Sequence, residues 1–284
     1  MRLQNINIRD PFILLHDGTY YLYGTRARTA WGPADGFDAY RSDDLVEWEG
    51  PFEVFHNDGT FWATKCYWAP ECICLDGIFY LVSTFGAEGR AKGVQILSSV
   101  SRLGPFAPMT PDVITPQGWD CIDGSLFVDE DGTRWLLFSH SLPDDLRGAY
   151  CVLPLADDLS HATGEPITLF HADEAPWSRP IPFAKAEFGI DGDVYFSDGP
   201  YAYRDGDGSL RMILSSWGTR GYAIGAALSE SGRITGPWKQ LEEPIYKENG
   251  GHGMVFLTKE GERKRVLHYP NDSLKERPVI VDLR

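Results

Sequence analysis

Residues 122–139 read IDGSLFVDEDGTRWLLFS. Two short runs rich in apolar and aromatic residues, SLFV and TRWLLFS, flank the acidic-Gly turn DEDG, the pattern of two antiparallel strands joined by a tight turn. Moving outward, the same order recurs as PFILL, HDG, TYYLYGT; as CICL, DG, IFYLVS; as PYAY, DGDG, SLRMILSS; and as GMVFL, TKEG, ERKRVLHY. Each copy is led by a polar residue, namely Asp10, Glu71, Asp123, Asp198 and His252, six to ten positions before the turn glycines Gly18, Gly77, Gly132, Gly208 and Gly261. Consecutive leaders stand 61, 52, 75 and 54 residues apart, the scale of a multi-stranded sheet unit rather than of a helical repeat. A further strand follows in each copy, and two of these close in matching phrases, SRLGPF and RITGPW.

These repeats predict an all-β chain forming a single five-bladed β-propeller domain over residues 1–284. In a propeller the first strand of every blade lines the axis, so the five leaders are expected to converge although they are far apart in sequence. Four of them are carboxylates. Acids gathered in one place are costly to ionise together, which drives their pKa values apart and lets an acid and a base work side by side. The opening segment LQNINI is expected to add an outer strand to the last blade and close the ring. The stretch HADEAPWSRPIPFAKAEFGIDGDVYF is too long for a simple turn and is expected to shape a pocket at the mouth.

Composition narrows the partners. A formal charge of −15 repels polyanions and offers no basic face for counterion release, which argues against nucleic acid. No run is apolar enough to span a bilayer, and MRLQNINIRDPF carries no visible secretory signal, so neither a membrane partner nor export is expected and a cytoplasmic location is. Cys66, Cys72, Cys74, Cys121 and Cys151 form an odd set without paired metal spacing, consistent with free thiols in a reducing compartment. The nine Trp and thirteen Tyr suit both a β-rich core and stacking on sugar rings, and core packing accounts for most of them. No GxSxG elbow, Walker loop or HExxH is present.

The motifs RDPFI (9–13), SDDLVEW (42–48), YWAPE (67–71), IDGSLFVDEDG (122–132), SDGPYAY (197–203) and GGHGMVF (250–256), in this order and at blade spacing, resemble glycoside hydrolase family 43. That resemblance implies a five-bladed propeller that hydrolyses arabinofuranosyl, xylosyl and related glycosides with inversion. It implies Asp10 as the general base, Asp123 as the carboxylate that orients the acid and keeps its pKa raised, and Asp198 as the general acid. Where the family usually carries EGP this chain has DGP, shorter by one methylene or roughly 1.5 Å of reach. Glu71 and Glu187 therefore stand as alternative proton donors. His252 matches a channel histidine that the family often places near a calcium ion; here it is expected to meet such an ion through water, and no cofactor is required. Trp31, Trp68 and Trp217 are candidates for sugar stacking, with Trp68 favoured, and Glu71 and Arg277 for substrate contact. The invertase-like relatives that share the propeller carry an NDPNG motif, absent here.

Singly, Asp before Pro or Gly is an ordinary turn former. Three such residues at matching points of three repeats favour chemistry. The expected function is an inverting, exo-acting glycosidase that releases arabinofuranosyl, xylosyl or galactosyl-type units from oligosaccharides. The alternative is a non-catalytic sugar-binding propeller in which the shortened acid marks lost activity; an interaction propeller without functional carboxylates fits the acidic cluster least.

Overall fold

A computed structural model describes residues 1–283 and places the chain in five antiparallel sheets, the blades of a β-propeller. Blade 1 holds β1 (Ile8–His16), β2 (Thr19–Arg26), β3 (Gly36–Ser42) and β4 (Glu49–His56). Blade 2 holds β5 (Lys65–Leu75), β6 (Ile78–Ala87), β7 (Arg90–Ser99) and the short β8 (Ala107–Pro108). Blade 3 holds β9 (Cys121–Val128), β10 (Arg134–His140), β11 (Ala149–Leu155) and β12 (Ile167–His171). Blade 4 holds β13 (Asp198–Arg204), β14 (Leu210–Gly218), β15 (Gly221–Ser229) and β16 (Trp238–Gln240). Blade 5 holds β17 (Gly251–Leu257), β18 (Arg263–Tyr269) and β19 (Arg277–Asp282). Aromatic residues fill the seam between blades 1 and 2, where Phe37, Phe55, Tyr67 and Phe85 pack edge to face and tilted. All five cysteines are free.

Every first strand carries the same fault. Arg9 pairs with Thr25 but Phe12 with Tyr23, so two residues of β1 face one of β2, which is a β-bulge. The slip recurs between Trp68 and Glu71, Ile122 and Ser125, Asp198 and Tyr201, and Gly251 and Met254. The first bulged residue takes left-handed backbone in all five blades: Asp10 (φ 53°), Ala69 (48°), Asp123 (59°), Gly199 (48°) and His252 (39°). Such a conformation is strained for any residue but glycine and turns its side chain toward the axis. It also defines the true repeat, because each of these residues stands eight or nine positions before its turn glycine.

That register corrects two sequence alignments. Ala69, not Glu71, occupies the axial position of blade 2, and Asp198 stands one residue before the axial Gly199. Glu71 instead shares a level with Phe12, Ser125, Tyr201 and Met254, one layer further along the channel. The opening segment also differs from expectation. Leu3–Asn5 is a 3-10 turn, not a strand, and the ring closes through Asn7 Nδ2 donating to the Glu276 carbonyl (2.9 Å) and Arg277 Nε donating to the Gln4 carbonyl (3.1 Å). Asn5 and Asn7 on either side of Ile6, and a bond back from Ile6 N–H to the Leu3 carbonyl, favour the turn over an extended edge.

The long insert folds onto the acid-bearing end of blades 3 and 4. It carries a 3-10 turn at Ala172–Glu174 and one short α-helix, α1 (Ala184–Phe188), ended by Gly189 at φ 69°. Ile181, Ala184 and Val194 form a small core with Leu142, flanked by Phe183, Phe196 and Trp217. Trp177 anchors the insert over β15, where a Cβ on Gly225 would lie 2.3 Å from its ring.

Candidate active site

The bulges bring three of the five leaders into contact. His252 Nδ1 lies 3.4 Å from Asp10 Oδ1 and 3.6 Å from Asp123 Oδ2. Gly199 N–H donates to Asp123 Oδ2 (2.9 Å), and Asp198 immediately precedes Gly199 in the chain. A Cβ on Gly199 would meet the His252 ring at 2.8 Å, so glycine in the DGP sequence is what lets the histidine reach the acids. Tyr222 donates its hydroxyl to Asp198 Oδ2 (3.0 Å).

Asp10 is held by a chain of donors. Ala69 N–H donates to Thr25 Oγ1 (2.7 Å), whose hydroxyl donates to Asp10 Oδ2 (2.7 Å). Asp10 N–H donates to His268 Nδ1 (3.2 Å), and the other ring nitrogen of His268 lies 3.2 Å from Asn271 Oδ1. These partners assign His268 as neutral with its proton on Nε2. The Arg9 guanidinium lies 3.5 Å from Asp10 Oδ1 and 3.3 Å from the buried Glu276 carboxylate, and stacks 4.8 Å over Trp31.

The electrostatics separate the acids. Burial alone would raise Asp10, but facing His252 and the adjacent Arg9 guanidinium hold its carboxyl well below the usual range, so it is ionised. Burial and the Asp10 charge push Asp123 up to about 7. Burial and the Asp123 charge likewise push Asp198 up to about 7. His252 is driven below its ordinary value by burial, against the pull of Asp10 and Asp198. Glu71, half-buried in the channel with its Oε2 buried and lacking a hydrogen-bond partner, is pushed up to about 8 by burial and the charge of Asp123.

Above the acids opens a cavity of about 450 Å³. Asp198, Arg9 and Tyr222 reach it, with Trp31 on one wall and Phe183, Phe188 and Trp217 of the insert side on another. Trp31 is 64% exposed, with Arg9 over its ring and exposed aromatic surface left that suits stacking on a sugar. Trp68, favoured from sequence, sits behind it instead: its ring meets Trp31 edge-on at 5.5 Å and its indole N–H donates to the Ala30 carbonyl. Glu187 stands exposed on α1 at the rim of the cavity. Arg277 lies outside it, bonded to the carbonyls of Gln4, Leu274 and Glu276. The guanidinium in the cavity belongs to Arg9, which the sequence reading passed over although it precedes Asp10. His268, Tyr222 and Asn271 were also missed. Of these only His268 left a signal, as the one histidine where other blades have Thr25, Thr84, Ser139 and Ser215.

Besides the carboxylates of Asp10 and Asp123, the axis offers few protein oxygens to a calcium ion. Nδ1 of His252 faces the two acids, and the next layer offers oxygens only from Glu71, Ser125 and Tyr201, against Phe12 and Met254. A calcium ion takes six to eight oxygens, so water would have to supply most of its shell.

Comparison with known proteins agrees with the fold. Over its full length the chain superposes on a crystal structure of an endo-arabinase from Bacteroides thetaiotaomicron with a TM-score of 0.90, at 36% identity and 96% coverage of that protein. It is 24% identical to the extracellular exo-alpha-(1->5)-L-arabinofuranosidase ArbA of Cellvibrio japonicus, over 89% of this chain and 72% of that protein. It is 23% identical to the beta-D-galactofuranosidase xynD of Aspergillus niger, over 95% of this chain and 76% of that protein. The family model for glycosyl hydrolases family 43 matches residues 4–280, and the chain belongs to that family of O-glycosyl hydrolases.

Proposed function

We propose that the protein is an inverting, exo-acting glycosidase that removes arabinofuranosyl or similar xylosyl or galactosyl-type units from oligosaccharides. The observation that carries the reading is the split between two carboxylates, one at the axis and one beside it: Asp10 held ionised, and Asp198 raised to about 7 where it meets the cavity. Asp198 donates its proton to the glycosidic oxygen as the bond from that oxygen to the anomeric carbon breaks. Asp10 takes a proton from water, whose oxygen bonds to the anomeric carbon from the opposite face, so configuration inverts. Asp123 keeps Asp198 protonated through its charge and fixes the Asp198–Gly199 backbone through the Gly199 amide. Tyr222 orients the acid, and Trp31 and Trp217 flank the sugar. Turnover requires no cofactor, and chelator-treated protein is expected to keep its rate.

The insert walls one side of the cavity, which favours a chain end over a polymer interior. Endo action is the second reading, favoured by the 36% identity to a protein described as an endo-arabinase. Proton NMR of the first product released from a linear arabino-oligosaccharide separates the two. Exo action with inversion gives only monosaccharide, first as the anomer opposite to the substrate linkage. Release of shorter oligosaccharides selects endo action, the same anomer as the substrate overturns inversion, and tight sugar binding without any product selects the non-catalytic propeller.

A further inference from the structure

The five-fold register exposes one residue out of keeping with its place. On the second strand of each blade, three positions before the residue that pairs beside the bulge, stand Leu22, Leu81, Leu136, Met212 and Arg265. The first four are aliphatic or thioether side chains with no exposed surface. The fifth is an arginine, 7% exposed, flanked on neighbouring strands by Val255 and Val281. Among the described residues it has no carboxylate partner and no side-chain hydrogen bond, and its Nε is buried without any partner. Burial lowers its pKa, with only Tyr203 opposing.

An isolated guanidinium in an apolar seam costs several kcal/mol unless an anion meets it. The chain is strongly acidic, yet among the described residues no carboxylate pairs with Arg265, and the acid lining its cavity, Asp205, is taken up by two other arginines. The side chain borders a cavity of about 680 Å³ between blades 4 and 5, near the hairpin turn that precedes Arg263 and away from the catalytic acids. Arg263 and Arg211 line the same cavity and share Asp205 at 3.5 and 3.1 Å, with Arg211 also 3.3 Å from Asp207. Tyr203 lines the cavity with the three arginines and Asp205, and Leu241 and Leu283 close the apolar side.

We propose that this cleft between blades 4 and 5 is a binding site for a small oxyanion, a phosphate or a carboxylate, seated on Arg265 with Arg263, Arg211 and Tyr203 around it. A planar guanidinium with free donors matches two oxygens of either group. The site is separate from the hydrolytic centre.

The test is thermal unfolding of the whole protein titrated with inorganic phosphate or with acetate, against sodium chloride at matched ionic strength. Wild type is expected to show a saturable rise of roughly 5 °C with at least one of the two oxyanions, and the one that acts tells phosphate from carboxylate. Arg265→Leu, which installs the residue of blades 1 to 3, is expected to unfold at higher temperature than wild type in chloride, to lose the anion-dependent rise and to hydrolyse glycosides at the wild-type rate. Arg265→Met, the residue of blade 4, serves if the leucine variant does not fold. No saturable rise with either oxyanion in wild type, or the same rise in the folded variant, overturns the proposal.

Discussion

Four axial amides are held one way and the fifth another. The hydroxyls of Thr25, Thr84 and Ser215, and the ring of His268, accept the amide of the next blade's bulged residue at 2.7 to 3.2 Å. At the fifth junction Ser139 is the equivalent, but its hydroxyl is buried without a partner and the Gly199 amide goes to Asp123 instead. The general latch stabilises the ring; the exception turns a structural donor onto the buried Asp123 carboxylate. The comparison teaches that the acid site is made by altering one joint of a repeated scaffold.

The largest effect that sharpens this contrast is loss of the base. Asp10→Asn is expected to lower kcat by about 10³ to 10⁴-fold with folding intact, because the amide accepts no proton from water. Steady-state hydrolysis of an arabinofuranoside beside circular dichroism measures both. Next comes the acid limb. Proton donation needs Asp198 protonated, so kcat/KM is expected to fall as pH rises through about 7, where Asp198 loses its proton. Asp198→Asn is expected to lower the rate by about 10² to 10³-fold and to abolish that alkaline fall.

The latch itself is tested by stability. Thr84→Ala leaves the buried Asp123 amide unpaired and is expected to cost about 1 to 3 kcal/mol in urea unfolding. Ser139→Ala removes a hydroxyl that already lacks a partner and is expected to change stability by less than about 0.5 kcal/mol. Equal costs for the two would dissolve the distinction between the joints. The smallest effect concerns Glu71. A carboxyl whose pKa rises on folding from 4.5 to about 8 contributes its full stability below 4.5 and loses it as pH rises through 8. Glu71→Gln is therefore expected to match wild type near pH 5 and to exceed it in thermal stability at pH 9.

The blades were legible because tight turns need glycine after acidic residues and strands alternate with a period of two; the stretch 122–139 contains both signals. The axial register was less so. Aligning on polar side chains selected Glu71 and Asp198, whereas the bulge places Ala69 and Gly199 on the axis, and neither has a side chain that advertises chemistry. A fixed distance of eight or nine residues from the turn glycine carries the register that side-chain type does not. Arg277 and Trp68 were misplaced for a related reason. Position in a motif says nothing of which way a strand or loop turns, and here Arg9 and Trp31 occupy the cavity instead. The pocket role expected of the insert rested on length and Pro content, while its contact with Trp217 depends on tertiary packing.

The central claim is that Asp198, despite its short reach, is the proton donor. Asp198→Ala assayed on a dinitrophenyl and on a methyl arabinofuranoside tests it most directly, since only the second leaving group needs protonation. The account predicts near wild-type turnover of the dinitrophenyl glycoside and loss of the methyl glycoside by at least about 10²-fold. Equal losses on both substrates, with the leaving-group dependence appearing in Glu187→Gln or Glu71→Gln instead, would contradict it.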